Sequence, residues 1–341
     1  MKRTHKEKGL NIFVNRFLGS IKRIQCVGQT GYIKIKKANF PDRYFRKYIK
    51  ENFDKDRDGI LSSDEINNIT NIGVVRNQNI TSLQGIEHFP NLMSLTCFQR
   101  GITELDVSKN TALTWLSCSN TGITSLDVSK NTALRDLYCD RTGITELDVS
   151  NNTALTKLWL YSTGITSLDV SNNTALRDLY CDRTGITELD VSNNTALTKL
   201  WLYSTGITSL DVSNNTALTE LRLDSTGITS LDVSQNTALE MLVGENNDLA
   251  WLNIGDNPNL YVSIDDSNID LGEVVGTFNI TEVFPGIDID KITITGGASL
   301  DNATGVVDGY VNGTPITYTY DCGTSMHGSE TLSVILHFNK K

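Results

Sequence analysis

The densest chemistry in the chain lies in twelve consecutive residues. Asp54, Asp56 and Asp58 alternate with Lys55 and Arg57, Gly59 follows, and Ser62 and Glu65 close the run. Carboxylates at alternate positions, on a stretch that Gly59 allows to turn sharply, can converge on one point. Ile60 would add its backbone carbonyl, Ser62 a hydroxyl directly or through water, and Glu65 both carboxylate oxygens. Ca2+ requires about six to eight such hard oxygens at roughly 2.3–2.6 Å. Asp54, Asp56, Asp58, Ile60, Ser62 and Glu65 are therefore the expected ligands of a single structural calcium ion; the bland alternative is a surface turn that binds nothing.

Such a loop works only if two helices hold its ends, and the spacing is that of an EF-hand. Phe40 to Phe53 reads as the first helix, with Pro41 in its first turn and Phe45, Ile49 and Phe53 on one stripe. Ser62 and Glu65 stand at capping-box spacing, so a second short helix should start after Ser62 and carry Ile66 and Ile69 inward. A second loop that would pair through Leu61 is missing. The expected site is thus of modest affinity, with Kd on the order of 10⁻⁴ M, and a two-loop dockerin is a poor match. The two helices are expected to cap the open end of a repeat array that occupies most of the remaining chain.

From Gly101 to Asn247 the chain repeats GITxLDVSxNTALxxLxxxxT at a period of 21 residues, with degenerate copies at Asn79 to Arg100 and Asp248 to Asn268. A period of this length predicts a solenoid. Written through Leu155, Leu158, Leu160, Thr163, Ile165 and Leu168, the spacing resembles the leucine-rich repeat, with Thr where the ladder Asn usually sits. One unit buries too little apolar surface to fold alone, so the array must be held by contacts between neighbouring turns. Leu-x-Leu should be the strand of a parallel sheet, and LDVSxNTA an extended or 3₁₀ return. The stacked Asp106 to Asp232 and Asn110 to Asn236 columns are expected to satisfy turn amides. Cys97, Cys118, Cys139 and Cys181 share a register with Leu160, Leu202 and Leu223, which predicts buried thiols.

Inward leucines place the intervening residues on the concave face. One column there reads Ser117, Tyr138, Trp159, Tyr180, Trp201, Arg222; another reads Asp140, Tyr161, Asp182, Tyr203, Asp224; a third, Asp136, Lys157, Asp178, Lys199, Glu220, alternates in sign. Tyr138, Trp159, Tyr161, Tyr180, Trp201, Tyr203, Asp140 and Asp182 are the expected ligand-binding residues. Aromatic plates among carboxylates suit a protein partner and could stack on a glycan. Replacing Trp159 and Trp201 by Ala should abolish ligand retention with the melting temperature nearly unchanged. The competing reading is sheet stability alone, from β-prone aromatics and an alternating charge ladder. No triad signature is present around Cys322, Ser325 and His327, so no catalytic residue is assigned. The enzymatic alternative is a glycan hydrolase using Asp140 and Asp182, about 10 Å apart and wide for that chemistry.

The 341 residues carry a net charge of −10, with 39% apolar content. Residues 1–37 hold ten Lys or Arg against one Glu, leaving −19 for the remainder, which argues against nucleic acid as the ligand of the repeats. No transmembrane helix is expected. The basic N-terminus is interrupted by Asn15 and Arg16 and reads as an extension rather than a signal peptide. The expected organisation is a basic extension over 1–38, a helical cap with the loop over 39–78, the solenoid over 79–268, and a β-sandwich-like module over 269–341. Asn-Asn-Thr at Asn151, Asn172, Asn193 and Asn214 reads as turn chemistry. The fold class is mainly β with minor α.

FPDRYFRKYIKENFDKDRDGILSSDEI, then ITSLQGIEHFPNLMSL, then the LDVSKNTAL repeats and ITYTYDCG, together resemble leucine-rich-repeat surface proteins of gut and rumen anaerobic bacteria, over roughly residues 39–341. The resemblance implies a non-catalytic, internalin-like recognition or adhesion protein, secreted or at the cell surface. A monomer is expected; without a clear signal peptide, cytoplasmic residence stays open.

Overall fold

The computed structural model describes residues 31–75, 79–98, 100–271, 277–295, 297–310 and 314–338. The basic N-terminus up to Thr30, and Cys26 within it, lie outside the described residues. Strand β1 (Tyr32–Lys34) opens the described chain. Helix α1 (Arg43–Phe53) follows, then β2 (Ile60–Ser62) and α2 (Ser63–Asn67). α1 starts three residues later than its sequence suggested, because the Asp42 carboxylate accepts from the Tyr44 and Phe45 amides and sets the N-cap there. Pro41 therefore precedes the cap rather than lying in the first turn. α2 starts as expected: Ser62 and Glu65 form the reciprocal capping box.

Ten strands form one parallel sheet, each paired to the next at the same register. They begin with β3 (Asn71–Gly73), β4 (Ser94–Thr96), β5 (Trp115–Ser117), β6 (Asp136–Tyr138), β7 (Lys157–Trp159), β8 (Asp178–Tyr180), β9 (Lys199–Trp201) and β10 (Glu220–Arg222). On the return side β11 (Ser230–Asp232) intervenes before β12 (Met241–Val243) continues the sheet. β13 (Trp251–Asn253) pairs with β11, β14 (Gly255–Asp256) leaves the array, and β15 (Tyr261–Ser263) completes the ten. Each strand of this sheet is only three residues long, because its middle residue, leucine in β4 to β10 and in β12, points inward before the chain bends away. Leu116, Leu137, Leu158, Leu179, Leu200 and Leu221 are all fully buried, each contributing about 2 kcal/mol of apolar transfer. This is the solenoid of 21-residue turns that the period predicts.

Two buried columns stitch the turns together. Asn173 Nδ2 donates to the carbonyls of Val149 and Asn152 in the preceding turn, at 3.1 and 2.9 Å, and Asn110 through Asn236 repeat this bond pattern. The Asn column thus satisfies carbonyls, not the turn amides its sequence position suggested. The Asp column does serve amides, as in Ser171 N donating to Asp169 at 2.9 Å. Thr163 and its equivalents work inside one turn, Thr163 Oγ1 donating to Leu160 O at 2.7 Å. Glycine at the unit start is a close-approach residue: a Cβ on Gly164 would lie 3.0 Å from Thr145 Cγ2 and 3.3 Å from Ile144 O. Cys97, Cys118, Cys139 and Cys181 are free and buried, as the shared register with Leu implied, and burial holds the Cys181 thiol well above its ordinary value.

The core is continuous from Phe40 to Phe338. At the far end β16 (Ser267–Asp270) precedes two short strands and a helical turn: β17 (Phe278–Asn279), α3 (Ile280–Val283) and β18 (Ile292–Thr295). β19 (Ser299–Asp301), β20 (Val306–Asp308), and the long hairpin β21 (Ile316–Ser325) and β22 (Gly328–His337) follow. β18 and β22 pair antiparallel with β21, while β14 and β16 add to the same sheet in parallel. The Tyr318 hydroxyl, fully buried, donates to Ala250 O at 2.7 Å. The C-terminal strands are thereby bonded directly to the last turns of the solenoid.

Candidate functional sites

The loop between α1 and α2 brings together the carboxylates of Asp54, Asp56 and Asp58, with one oxygen from each within 4.8 Å of the others. Three local bonds set this geometry. Gly59 N donates to Asp54 Oδ2 at 3.1 Å, Asp58 N to Asp56 Oδ1 at 3.2 Å, and Ile60 N to Asp58 Oδ1 at 2.7 Å. Gly59 has φ of +83°, the left-handed turn that glycine accepts without strain. Asp54 is 5% exposed, and its Oδ1 has no hydrogen-bond partner. A buried carboxyl oxygen with no hydrogen-bond donor is costly unless a ligand meets it.

Glu65 folds back over the loop. Its Oε1 accepts from Lys55 N at 2.7 Å, and its Oε2 from Ser62 N at 2.8 Å and Ser62 Oγ at 2.9 Å. The Ser62 amide, with further help from Lys55 and the Ser62 hydroxyl, holds this carboxyl below the ordinary glutamate range. Oε1, with a single donor, keeps a second lone pair for a metal, whereas Oε2 already accepts twice. Leu61, fully buried between these groups, pairs with Ile33 of β1, and Ile35 N donates to Gly59 O at 2.9 Å. The strand partner that a second loop would supply is therefore supplied by Tyr32–Lys34, within the stretch read from sequence as a basic extension. The Tyr-Ile-Lys-Ile alternation was the signal that could have found it.

The second site is the outer face of the ten-stranded sheet. Trp115, Tyr138, Trp159, Tyr180 and Trp201 form one ladder of rings, with successive centroids 4.7, 4.7, 4.9 and 4.2 Å apart. From Trp159 to Trp201 the rings are stacked at interplanar angles of 23° and 10°. Arg222 closes the ladder, its guanidinium 5.3 Å from the Trp201 ring centre. Stacked rings cover one another's faces and turn their edges outward. Tyr180, stacked on both sides, and Tyr138, met by one tilted and one edge-on ring, are both buried, and burial pushes both phenols up to about 12. Trp159, Trp201, Tyr161 and Tyr203 remain half-buried. The plates that a sugar ring would need are thus occupied, and removing Trp159 opens a gap between Tyr138 and Tyr180. The near-zero stability cost expected for the Trp-to-Ala pair does not fit this packing; a cost of about 1–3 kcal/mol per site does.

The charged columns sort by depth. Asp140 is buried and accepts from Ser119 Oγ at 2.6 Å. Asp224 is buried 3.5 Å from Arg222, and Lys157 and Lys199 reach Asp178 and Glu220 at 3.7 and 2.5 Å. Asp182 is different. Burial pushes its carboxyl up to about 6, against the opposing pull of the Tyr203 amide, which donates to it at 2.8 Å, and of Arg222. Its folded value exceeds its unfolded value of 3.8, so the folded state holds a proton that the unfolded chain would release. The resulting stabilisation is full below about pH 4 and lost as pH rises through about 6. Melting curves between about pH 4 and 8 should show Asp182→Asn matching wild type at the acidic end and exceeding it by on the order of 1 kcal/mol above pH 6. Equal pH profiles for the two proteins would refute this ionisation.

A solenoid of 21-residue turns with one parallel sheet, a helical cap and an aromatic outer face defines a leucine-rich-repeat protein by fold. Among solved structures, internalin C2 of Listeria monocytogenes aligns with TM-score 0.56 and 21% identity over 69% of this chain and 98% of that one. The Listeria monocytogenes protein InlP aligns with TM-score 0.54 and 17% identity over 89% and 98%. No protein-family profile and no curated protein matches the sequence. No helix among the described residues is long and apolar enough to cross a membrane.

Proposed function

We propose that this chain is a non-catalytic recognition or adhesion protein of internalin-like type that takes a protein ligand on the concave, outer face of its sheet. The ring ladder from Trp115 to Trp201 carries this reading: it is a continuous aromatic surface on the sheet, half-buried at Trp159 and Trp201. Aromatic edges flanked by charge fit a protein better than a sugar, because the ring faces are already stacked. The resemblance to surface proteins of gut anaerobes supports a secreted or cell-surface location. Ca2+ belongs to the reading as a structural ion held by Asp54, Asp56, Asp58, the Ile60 carbonyl, Ser62 and Glu65; when bound it supplies positive charge that ties the loop ends together.

The test is capture of partners from host-cell and bacterial-surface extracts on the immobilised protein, with Trp159→Phe/Trp201→Phe beside the double Ala variant. Phe keeps the stack and removes the indole, so it separates recognition from packing. Loss of the captured partner by at least about tenfold in the Phe variant, at unchanged melting temperature, is expected. Retention by both variants would move recognition to another surface.

A further inference from the structure

Fractional exposure inverts the charge that the sheet face shows in sequence. The acids of its central columns are buried or half-buried: Asp140 and Asp224 are buried, and Asp178 and Glu220 lie against Lys157 and Lys199. From β6 to β9 the exposed charges flanking the strands are arginines. Arg135 and Arg177 stand at the entrances of β6 and β8, and Arg141 and Arg183 just beyond their exits, at least partly open to solvent. None of the four forms an ion pair among the described residues. Arg141 and Arg183 are set in place by ring contacts, 5.4 Å over Tyr161 and 5.3 Å over Tyr203. A guanidinium oriented by a ring keeps its in-plane donors for another acceptor. The ladder between the arginines adds positive ring edges.

We infer that this face, on a chain that is acidic overall, docks an acidic, extended protein segment, with one carboxylate for each pair of solenoid turns. The inference rests on the protein-binding reading of the face and names the partner's chemistry. Two turns of the parallel sheet advance about 9.6 Å, and three residues of a polyproline-II segment advance about 9.3 Å. An acidic residue at every third position would therefore meet Arg135 or Arg141 and then Arg177 or Arg183 in register. A folded acidic surface or a flexible polyanion would share the charge but not the period.

The experiment is fluorescence anisotropy on the full chain with acetyl-(Glu-Pro-Pro)4-amide, a permuted peptide with its four glutamates contiguous, acetyl-(Lys-Pro-Pro)4-amide and an oligoglucuronate. Binding of the Glu-Pro-Pro peptide at least about tenfold tighter than the permuted peptide, weakened by about 0.5 M NaCl and lost in Arg141→Glu/Arg183→Glu, is the expected result. Circular dichroism of that variant, whose substitutions both reach solvent, checks that the fold is intact. Equal binding of the permuted peptide, tighter binding of the Lys peptide, preference for oligoglucuronate, or unchanged affinity in the Arg variant would each overturn the inference. If no acidic probe binds, but a captured protein is lost in the Trp-to-Phe variant, the acidic partner fails while the recognition face stands. If no captured protein depends on the tryptophans either, the face itself fails.

Discussion

Replacing Asn173 by Ala should destabilise the protein by about 2–4 kcal/mol, as much as truncating a central leucine, although Asn173 touches no ligand surface. Its amide sits at 0% exposure and donates to Val149 O and Asn152 O of the preceding turn. Those carbonyls also accept the Asn152 and Leu155 amides within their own turn, so the variant leaves each with half its capacity unused in a dry interior and adds a void. Asn173→Asp is the sharper case. It preserves shape and exchanges the donor for a carboxylate facing two carbonyls, so it should be the less stable of the two variants. Denaturant melts give the order wild type, Ala, Asp. Because each turn contacts only its neighbours, a central lesion should also uncouple the two halves and split the transition. If the Asp variant were the more stable one, the ladder would not depend on donation from this position.

That a single column can matter this much follows from the period, and the period was plain in the amino-acid order. Leu158, Leu179 and Leu200 could be placed inward, and Trp159, Tyr180 and Trp201 in one outward column, because a 21-residue repeat superposes equivalent positions whatever their rotamers. Which column carries the inter-turn bonds could not be read so directly. Thr163 and Asn173 are both polar, both recur every 21 residues and both are buried; only the fold shows that Thr163 bonds within its own turn and Asn173 across turns. Ring orientation was equally hidden. Register brings Trp159 beside Tyr180, but whether their faces meet each other or the solvent depends on side-chain torsions that spacing does not constrain. The same holds for charge: Asp140 and Arg141 are adjacent in sequence, and one is buried while the other is exposed. The remaining surprises are long-range pairings of very short strands. Ile33 with Leu61 joins two three-residue strands, and Gly255 with Gly323 sets the two-residue β14 on the long β21.

Calcium should raise the melting temperature of the wild-type chain by several degrees, and Asp54→Asn should abolish the response. With Kd on the order of 10⁻⁴ M, about 10 mM Ca2+ supplies about 2.7 kcal/mol through linkage to the folded state. The energy has a route into the fold, since Leu61 in the middle of the loop is fully buried and paired with Ile33. From the other end of α1, the Asp42 carboxylate accepts from the Thr81 amide and hydroxyl at 3.0 and 2.9 Å at the start of the repeats. The carboxamide introduced by D54N would keep an acceptor for the Gly59 amide and remove one of three carboxylates crowded within 4.8 Å. The order of stabilities should therefore reverse with conditions. In chelator the variant should equal or exceed wild type, because repulsion is relieved; in calcium wild type should win. A loop built only as a turn gives no such crossing: there the substitution acts alike in both media. Scanning calorimetry of the two proteins in EDTA, Mg2+ and Ca2+ distinguishes these cases, and a wild-type transition that ignores Ca2+ would remove the ion from this loop.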